Sequence, residues 1–452
     1  MPDAPDRAPD LGPLEPDDTD RLLAPLQPFC SLAFGVSGGA DSLALLHLFN
    51  DWRHRTGWQG TAAVVTVDHG LRTGSAHEAA HVAAVCADLK LPHHILHWND
   101  EKPASNVQAA ARAARYELIS QFMGTNGSEA LVLAHHLDDQ TETFFDRLSR
   151  GSGVYGLGAM APDERHGPCG IRILRPFLSV PKSRLVATLE ARGANWCEDP
   201  SNADDRHKRV RLRRLADGLA HEGFDAARLL ATTSRLGRAA DALDSWVVRI
   251  WADHVSEHPS GPLKVPSDVL TALPDEVRLR LLGQLILRAA GRDIPVRLAK
   301  LENLDAALLA ETTGKHTLAG AVILKHAGEL FVWKELGRSP PPVHRFGSTA
   351  VAGAATFGPR KDGFIWDQRF RLSSSNGLDA ALSSSLSIGP FSLAPRSDVD
   401  LDFPKDWPKE AFDCAAAVWS AKDLVLVPGL FRASALAAAM DLTLLPFTFL
   451  DR

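Results

Sequence analysis

The chain has 452 residues, 45% of them hydrophobic, and a formal net charge of -6. That length allows two or three domains with sizeable cores, while the acidic balance excludes a global attraction for nucleic acid, so any such role must rest on local basic patches. Cys30, Cys86, Cys169, Cys197 and Cys414 lie far apart with no CxxC pair, which argues against a zinc ribbon, a cluster site or a disulfide framework and for a reducing cytoplasm.

No apolar run reaches the length of a bilayer, and the start of the chain is acidic and proline-rich where a signal peptide would be basic and then apolar. Residues 1–22 read as a disordered tail, because Pro and Asp dominate and apolar anchors are few. Ser31 to Val36 is a short buried strand, and Leu43 to Phe49 repeats apolar side chains at helical intervals. Between them stands Ser37-Gly38-Gly39-Ala40-Asp41-Ser42. Its glycines let the backbone approach a ligand, and the amides entering the helix make an anion site. The plainer alternative is a Gly turn with a Ser cap. No Lys follows as in a Walker loop, and the dinucleotide fingerprint is missing.

Strand, loop and helix then repeat: strands at Ala62–Val67, His93–Trp98 and Ala130–Ala134, helices at Ala76–Leu89 and Val107–Met123. This order implies a doubly wound parallel α/β sheet, whose ligands bind beyond the carboxyl ends of the strands. Ser37–Ser42, Asp68–Arg72 and His135–Glu142 each follow a strand. A helix starting near Leu137 would set Asp139 and Glu142 three apart on one face, able to share Mg²⁺ or to bind an ammonium and take its proton. Acids at a helix start also serve as simple caps. His135 and His136 lack a third ligand at metal spacing, which favours hydrogen-bonding roles. Arg112 and Arg115 sit on the Val107–Met123 helix, as solvated cations or as phosphate ligands. Gly151–Gly158 is a flexible loop suited to moving over a substrate, or a long turn.

Downstream, Ser183–Arg192 is a helix closed by Gly193, and Glu198–Asn202 a turn. Arg206, Lys208, Arg209, Arg211, Arg213 and Arg214 follow with His207 among them, the densest basic patch in the chain. A polyanion contact and a solvated face both fit. His221 to Arg292 has helical periodicity, Leu318–Trp333 reads as a hairpin turning at Gly328, Phe364–Phe370 as a further strand, and Pro340–Pro342 as a linker. Lys315, His316 and Lys325 read as scattered surface cations. The expected layout is a catalytic α/β domain over 23–220, a helical middle region over 221–335 and a small α+β domain over 336–452.

The string Ser37–Ser42 resembles the SGGxDS signature of PP-loop ATP pyrophosphatases. Together with VDHGLR, NVQAAARAARY, LAHHLDDQTET, RLSRGSGVYGL and NWCEDPSNAD, in that order, the region from Phe34 to Leu215 resembles the tRNA(Ile)-lysidine synthetases. One departure falls in the basic segment, where His207 and Val210 replace the family's aromatic residue and Asn. The resemblance implies an ATP- and Mg²⁺-dependent ligase that adenylates C2 of the first-anticodon-position cytidine of tRNA(Ile) with a CAU anticodon, then lets free L-lysine displace AMP. It implies diphosphate binding by Ser37, Gly38, Gly39, Ala40 and Ser42, with Asp41 placing Mg²⁺. Asp139 and Glu142 would hold the lysine ammonium, while Arg112, His136, Arg209 and Arg213 would contact the activated base and its phosphate. The C-terminal parts would embrace the acceptor stem. Rival readings are a tRNA cytidine thiolase, disfavoured by the absent CxxC, a small-molecule synthetase of the same fold, disfavoured by Arg206–Arg214, and a catalytically silent tRNA-binding protein.

Overall fold

In the computed structural model the first strand, β1, covers Ser31–Gly35. Its Leu32 and Phe34 pack to one side and Ala33 to the other, as the two-residue repeat of a strand requires. The structure describes residues 12–70, 75–99, 102–103, 105, 107–165, 167–198, 208–220, 222–292, 295–337, 341, 343–345, 358–360, 363–367, 369–374, 386–395, 401–420, 423–432 and 440–445. The chain divides between Ala240 and Asp241 into two units.

The first unit opens on a helix, α1 (Pro16–Leu23), which corrects the expected tail for the stretch that is described; residues 1–11 lie outside it. Few apolar anchors suffice here, because Leu14, Leu23 and Leu26 are all buried in the same core as β1. Pro16 takes the first helical turn, with Asp17 and Asp18 beside it. Arg184 fixes the segment from outside, donating to the carbonyls of Gly12 and Pro13 and to Asp18.

There follow α2 (Ala40–Thr56), β2 (Thr61–Asp68), α3 (Ser75–Asp88), β3 (His93–His97), α4 (Val107–Asn126), β4 (Ala130–Val132), α5 (Leu137–Leu148), α6 (Val154–Leu157), β5 (Asp163–Glu164), β6 (Ile173–Leu174), α7 (Lys182–Ala191) and α8 (Lys208–Ala220). The sheet order is β3-β2-β1-β4-β6-β5. All neighbours pair in parallel except β5 with β6. Residues of α1, α2, α3 and α7 bury one face of it, and Tyr116, Ile119 and Met123 of α4 cover the other. The chain winds from β1 outward to β3, then returns to place β4 on the opposite side of β1. The topological switch point therefore lies between the ends of β1 and β4.

α9 (Ala226–His254) crosses the division. In the second unit β7 (Ser256–Glu257) and β8 (Leu263–Pro266) interrupt the expected helical run, followed by α10 (Ser267–Ala272), α11 (Asp275–Ala290), α12 (Leu298–Ala310), β9 (Gly314–Leu318), β10 (Ala321–His326) and β11 (Glu329–Lys334). Their strands form one antiparallel sheet, β7-β8-β11-β10-β9. The hairpin β10–β11 turns at Gly328, with φ of 82°. The remaining strands are β12 (His344–Arg345), β13 (Gly358–Arg360), β14 (Gly363–Trp366), β15 (Phe370–Ser374), β16 (Leu386–Pro390), β17 (Ala416–Ser420), β18 (Asp423–Val427), β19 (Phe431–Arg432) and β20 (Met440–Leu444). They make two further antiparallel sheets. The single strand expected at Phe364–Phe370 is instead two, β14 and β15, turning at Asp367 with φ of 55°. Pro340 and Pro342 lie outside the described residues.

Candidate active site

The loop after β1 is held from below. Val36 donates to the Val65 carbonyl and accepts from the Thr66 hydroxyl at 2.9 Å. Gly38 then takes φ of 88°, which a side chain would strain, and its carbonyl accepts the Cys197 N–H at 2.9 Å. Ser42 is buried: its hydroxyl donates to the Gly39 carbonyl at 2.9 Å and accepts the Ser37 N–H at 3.3 Å. Ser42 thus staples the loop. Ser37 is exposed, and a β-carbon on Gly39 would meet only Ser37 Oγ, at 3.8 Å. Gly39 caps α2 and Ala40 begins it, so the first amides of α2 have no intrahelical acceptor.

From the other side of the switch point α5 brings acids toward the same loop. Asp139 caps α5 by accepting the His136 N–H at 3.1 Å, as the capping reading of this acid expects. The His136 ring is 3% exposed. Its Nε2 lies 3.6 Å from Asp41 Oδ2 and 3.4 Å from Asp139 Oδ2, and its Nδ1 lies 3.9 Å from Asp138 Oδ1. Burial opposes a charge on this ring, but the Asp41, Asp139 and Asp138 carboxylates outweigh it and raise its pKa above the ordinary histidine value. Asp41 mirrors it: burial opposes ionisation, and His136 and Lys182 still hold its carboxyl below the usual value. Lys182 Nζ stands 3.3 Å from Asp41 Oδ2. The other oxygen, Oδ1, is buried with no hydrogen-bond partner among the described residues.

Sequence reasoning missed Lys182. One signal pointed to it: Lys182 opens α7, and a cation at a helix N-terminus runs against the macrodipole.

Glu142, expected to face the crevice together with Asp139, points to a different partner. It is 4% exposed, and Arg213 of α8 donates to its Oε1 through Nε at 2.9 Å and through Nη2. Lys208 pairs with Asp146 one turn further along α5, at 2.6 Å, while Phe144 and Phe145 pack with Leu212. Arg112 is exposed on α4, its guanidinium 5.1 Å from the Tyr116 ring centroid, and Arg115 reaches His69 at 3.0 Å. Neither joins the Asp41–His136–Asp139 chain in these contacts. The side chains of Arg209 and Val210, with His207 and residues 199–202, lie outside the described residues.

The Gly-rich loop expected to move is pinned to α5. Arg147 donates to the carbonyls of Gly156 and Ala159 at 2.9 Å each, and Gln140 pairs with the Met160 backbone in both directions at 2.8 Å. Among the described residues, no group of three His, Cys, Asp or Glu side chains is arranged to hold a metal, and no helix is long and apolar enough to cross a membrane.

A family model of the PP-loop domain matches residues 17–217. The chain is 40% identical over 331 residues to the tRNA(Ile)-lysidine synthase of Bradyrhizobium sp. (strain BTAi1), covering 69% of this chain and 92% of that one. It is 34% identical over 410 residues to the tRNA(Ile)-lysidine synthase of Ruegeria pomeroyi, covering 89% of each. Among solved structures, the U34-tRNA thiolase NcsA from Methanococcus maripaludis aligns at a TM-score of 0.42 and 16% identity, covering 49% of this chain and 78% of that one.

Proposed function

The chain belongs to the tRNA(Ile)-lysidine synthase family, ATP-binding ligases that modify tRNA, and from that premise we propose that it joins L-lysine to C2 of the first-anticodon-position cytidine of tRNA(Ile) bearing a CAU anticodon. The observation that supports this reading is the meeting of a phosphate-type loop with the Asp41–His136–Asp139 chain at one switch point.

The reaction has two displacements. The C2 oxygen of the base attacks the α-phosphorus of ATP, the bond to the β-phosphate oxygen breaks, and diphosphate leaves. The ε-amine of lysine then attacks C2, the C2–O bond breaks, AMP departs and the amine loses a proton. The amides of Gly38, Gly39 and Ala40 with the Ser37 hydroxyl would receive the diphosphate, and Ser42 keeps the loop in shape for it. Magnesium fits Asp41 through the unpartnered Oδ1; with few protein ligands it would take its other oxygens from water and phosphate, and when bound it offsets the diphosphate charge. His136 and Lys182 orient Asp41. Asp139 and Glu142 would receive the substrate ammonium and help remove its proton, since only the neutral amine is a nucleophile. Arg112, Arg209, Arg213 and His136 would contact the adenylated base.

The test is incubation with ATP, Mg²⁺, radiolabelled L-lysine and a panel of purified tRNAs. Label is expected only in the isoleucine species with the CAU anticodon, with one AMP formed per lysine incorporated. Label in no tRNA, or AMP formation without lysine dependence, overturns the reading. Asp139→Asn is expected to lose lysidine formation at ordinary lysine concentrations.

A further inference from the structure

Two roles proposed above collide in one contact. Glu142 would bind the lysine ammonium and Arg213 would contact the adenylated base and its phosphate, yet in the structure they are bound to each other. Only 5% of the Glu142 side chain is exposed against 40% of Arg213, so the acid is the fixed, buried partner and the guanidinium the one at the rim. A carboxylate at that depth needs a cation, and Arg213 supplies it by directing both Nε and Nη2 at a single oxygen, Oε1. The same helix, α8, presents exposed Arg211 and Arg214 within the most basic stretch of the chain, where a polyanion would meet it.

We propose that Arg213 is a resident stand-in for the substrate ammonium: it occupies Glu142 until nucleotide or tRNA phosphate draws the guanidinium away, and free lysine is admitted only then. This rests on the reading of Glu142 as a lysine ligand. Lysine and polyanion then bind with positive coupling, because each removes the partner that the other must displace, and the coupling is reciprocal. An order follows. A lysine-first complex, which has no activated base to attack, is suppressed, and the buried acid keeps a counter-ion until the polyanion arrives.

The experiment is equilibrium dialysis of radiolabelled L-lysine against the full chain alone, with a non-hydrolysable ATP analogue and Mg²⁺, and with tRNA(Ile). Wild type is expected to bind lysine at least tenfold more tightly with one or both polyanions, and the two arms separate nucleotide phosphate from RNA phosphate as the trigger. Arg213→Gln is expected to bind lysine without any polyanion at the affinity that wild type reaches with one, and Glu142→Gln to lose binding in every arm. If Glu142→Gln loses binding while Arg213→Gln binds no tighter than unliganded wild type, the stand-in role is overturned and the lysine site stands. If Glu142→Gln binds as wild type does, the lysine site itself falls. Should Arg213→Gln fail to fold by circular dichroism, the wild-type arms decide: no tightening by either polyanion overturns the proposal.

Discussion

Gly38 shows how one backbone angle shapes the phosphate loop. Its φ of 88° is costly for any residue with a β-carbon, about 1–2 kcal/mol, whereas the nearest atoms to such a carbon, Val82 Cγ2 at 3.4 Å and the Glu78 carbonyl at 3.5 Å, leave it room. Gly38→Ala is therefore expected to act through the backbone: denaturant unfolding should show a loss of about that size, and calorimetric titration should show weaker ATP binding. Unchanged ATP affinity would separate the loop angle from the ligand. His136 carries the complementary argument in charge. His136→Asn removes the ring that stands 3.6 Å from Asp41 and 3.4 Å from Asp139, and the lysidine-forming rate should drop by about 100-fold or more. Thiols divide by burial: Cys86 and Cys414 are pushed up to about 12 and about 11 by their surroundings, so at pH 8 an alkylating reagent followed by peptide mass mapping should modify the exposed Cys30 and Cys169 and spare those two. The loop was legible in the sequence because glycine and small hydroxyl residues are what its angles and its internal staple demand. The partner of Lys182 was not, because its contact with Asp41 spans 141 positions and a cation at a helix start marks an oddity without naming what it meets.

At the scale of elements, the strands and helices of the parallel sheet could be read because buried strands and amphipathic helices have different periods. Every expected element up to α5 appears, with its ends moved by a few residues, except that the helix expected at Leu43–Phe49 runs on to Thr56. The exceptions have physical causes. A composition argument averages over residues, and α1 is anchored by three leucines and one arginine from α7, a tertiary arrangement that no average contains. Leu23 is fully buried, so Leu23→Ala should cost about 2–5 kcal/mol in denaturant unfolding, where a disordered tail would cost nothing. Asp18 gives the same test an axis in pH. The hydrogen bond from Arg184 lowers its carboxyl pKa against a partial loss of hydration. A depressed carboxyl stabilises fully above its ordinary unfolded value and loses that contribution as pH falls through the folded value. Asp18→Asn should thus lower the melting temperature at pH 7 and make progressively less difference below about pH 4. Asp367 is the opposite lesson: a short run of strand-forming residues conceals a turn when a single residue adopts positive φ, because apolar pattern alone carries no dihedral signal.

For the molecule as a whole, the division after Ala240 separates cores that share no residue. Leu32, Phe34 and Trp52 belong to the first unit, while Val265, Leu285 and Trp366 belong to cores of the second. The candidate ATP site, Ser37 to Ser42 with Asp41, His136 and Lys182, lies wholly within the first. A ligand that binds only the native form of one cooperative unit stabilises that unit by mass action, about 2.7 kcal/mol at a concentration 100 times its dissociation constant. Differential scanning calorimetry of the full chain should accordingly resolve two transitions, of which a non-hydrolysable ATP analogue with Mg²⁺ raises one and leaves the other in place. Limited proteolysis of a sample held between the two midpoints would assign them, with the nucleotide-sensitive transition exposing sites before Ala240. Two transitions that rise together would mean that binding energy reaches the second unit, and that nucleotide, lysine and RNA act on one cooperative body rather than through a catalytic unit whose stability is its own.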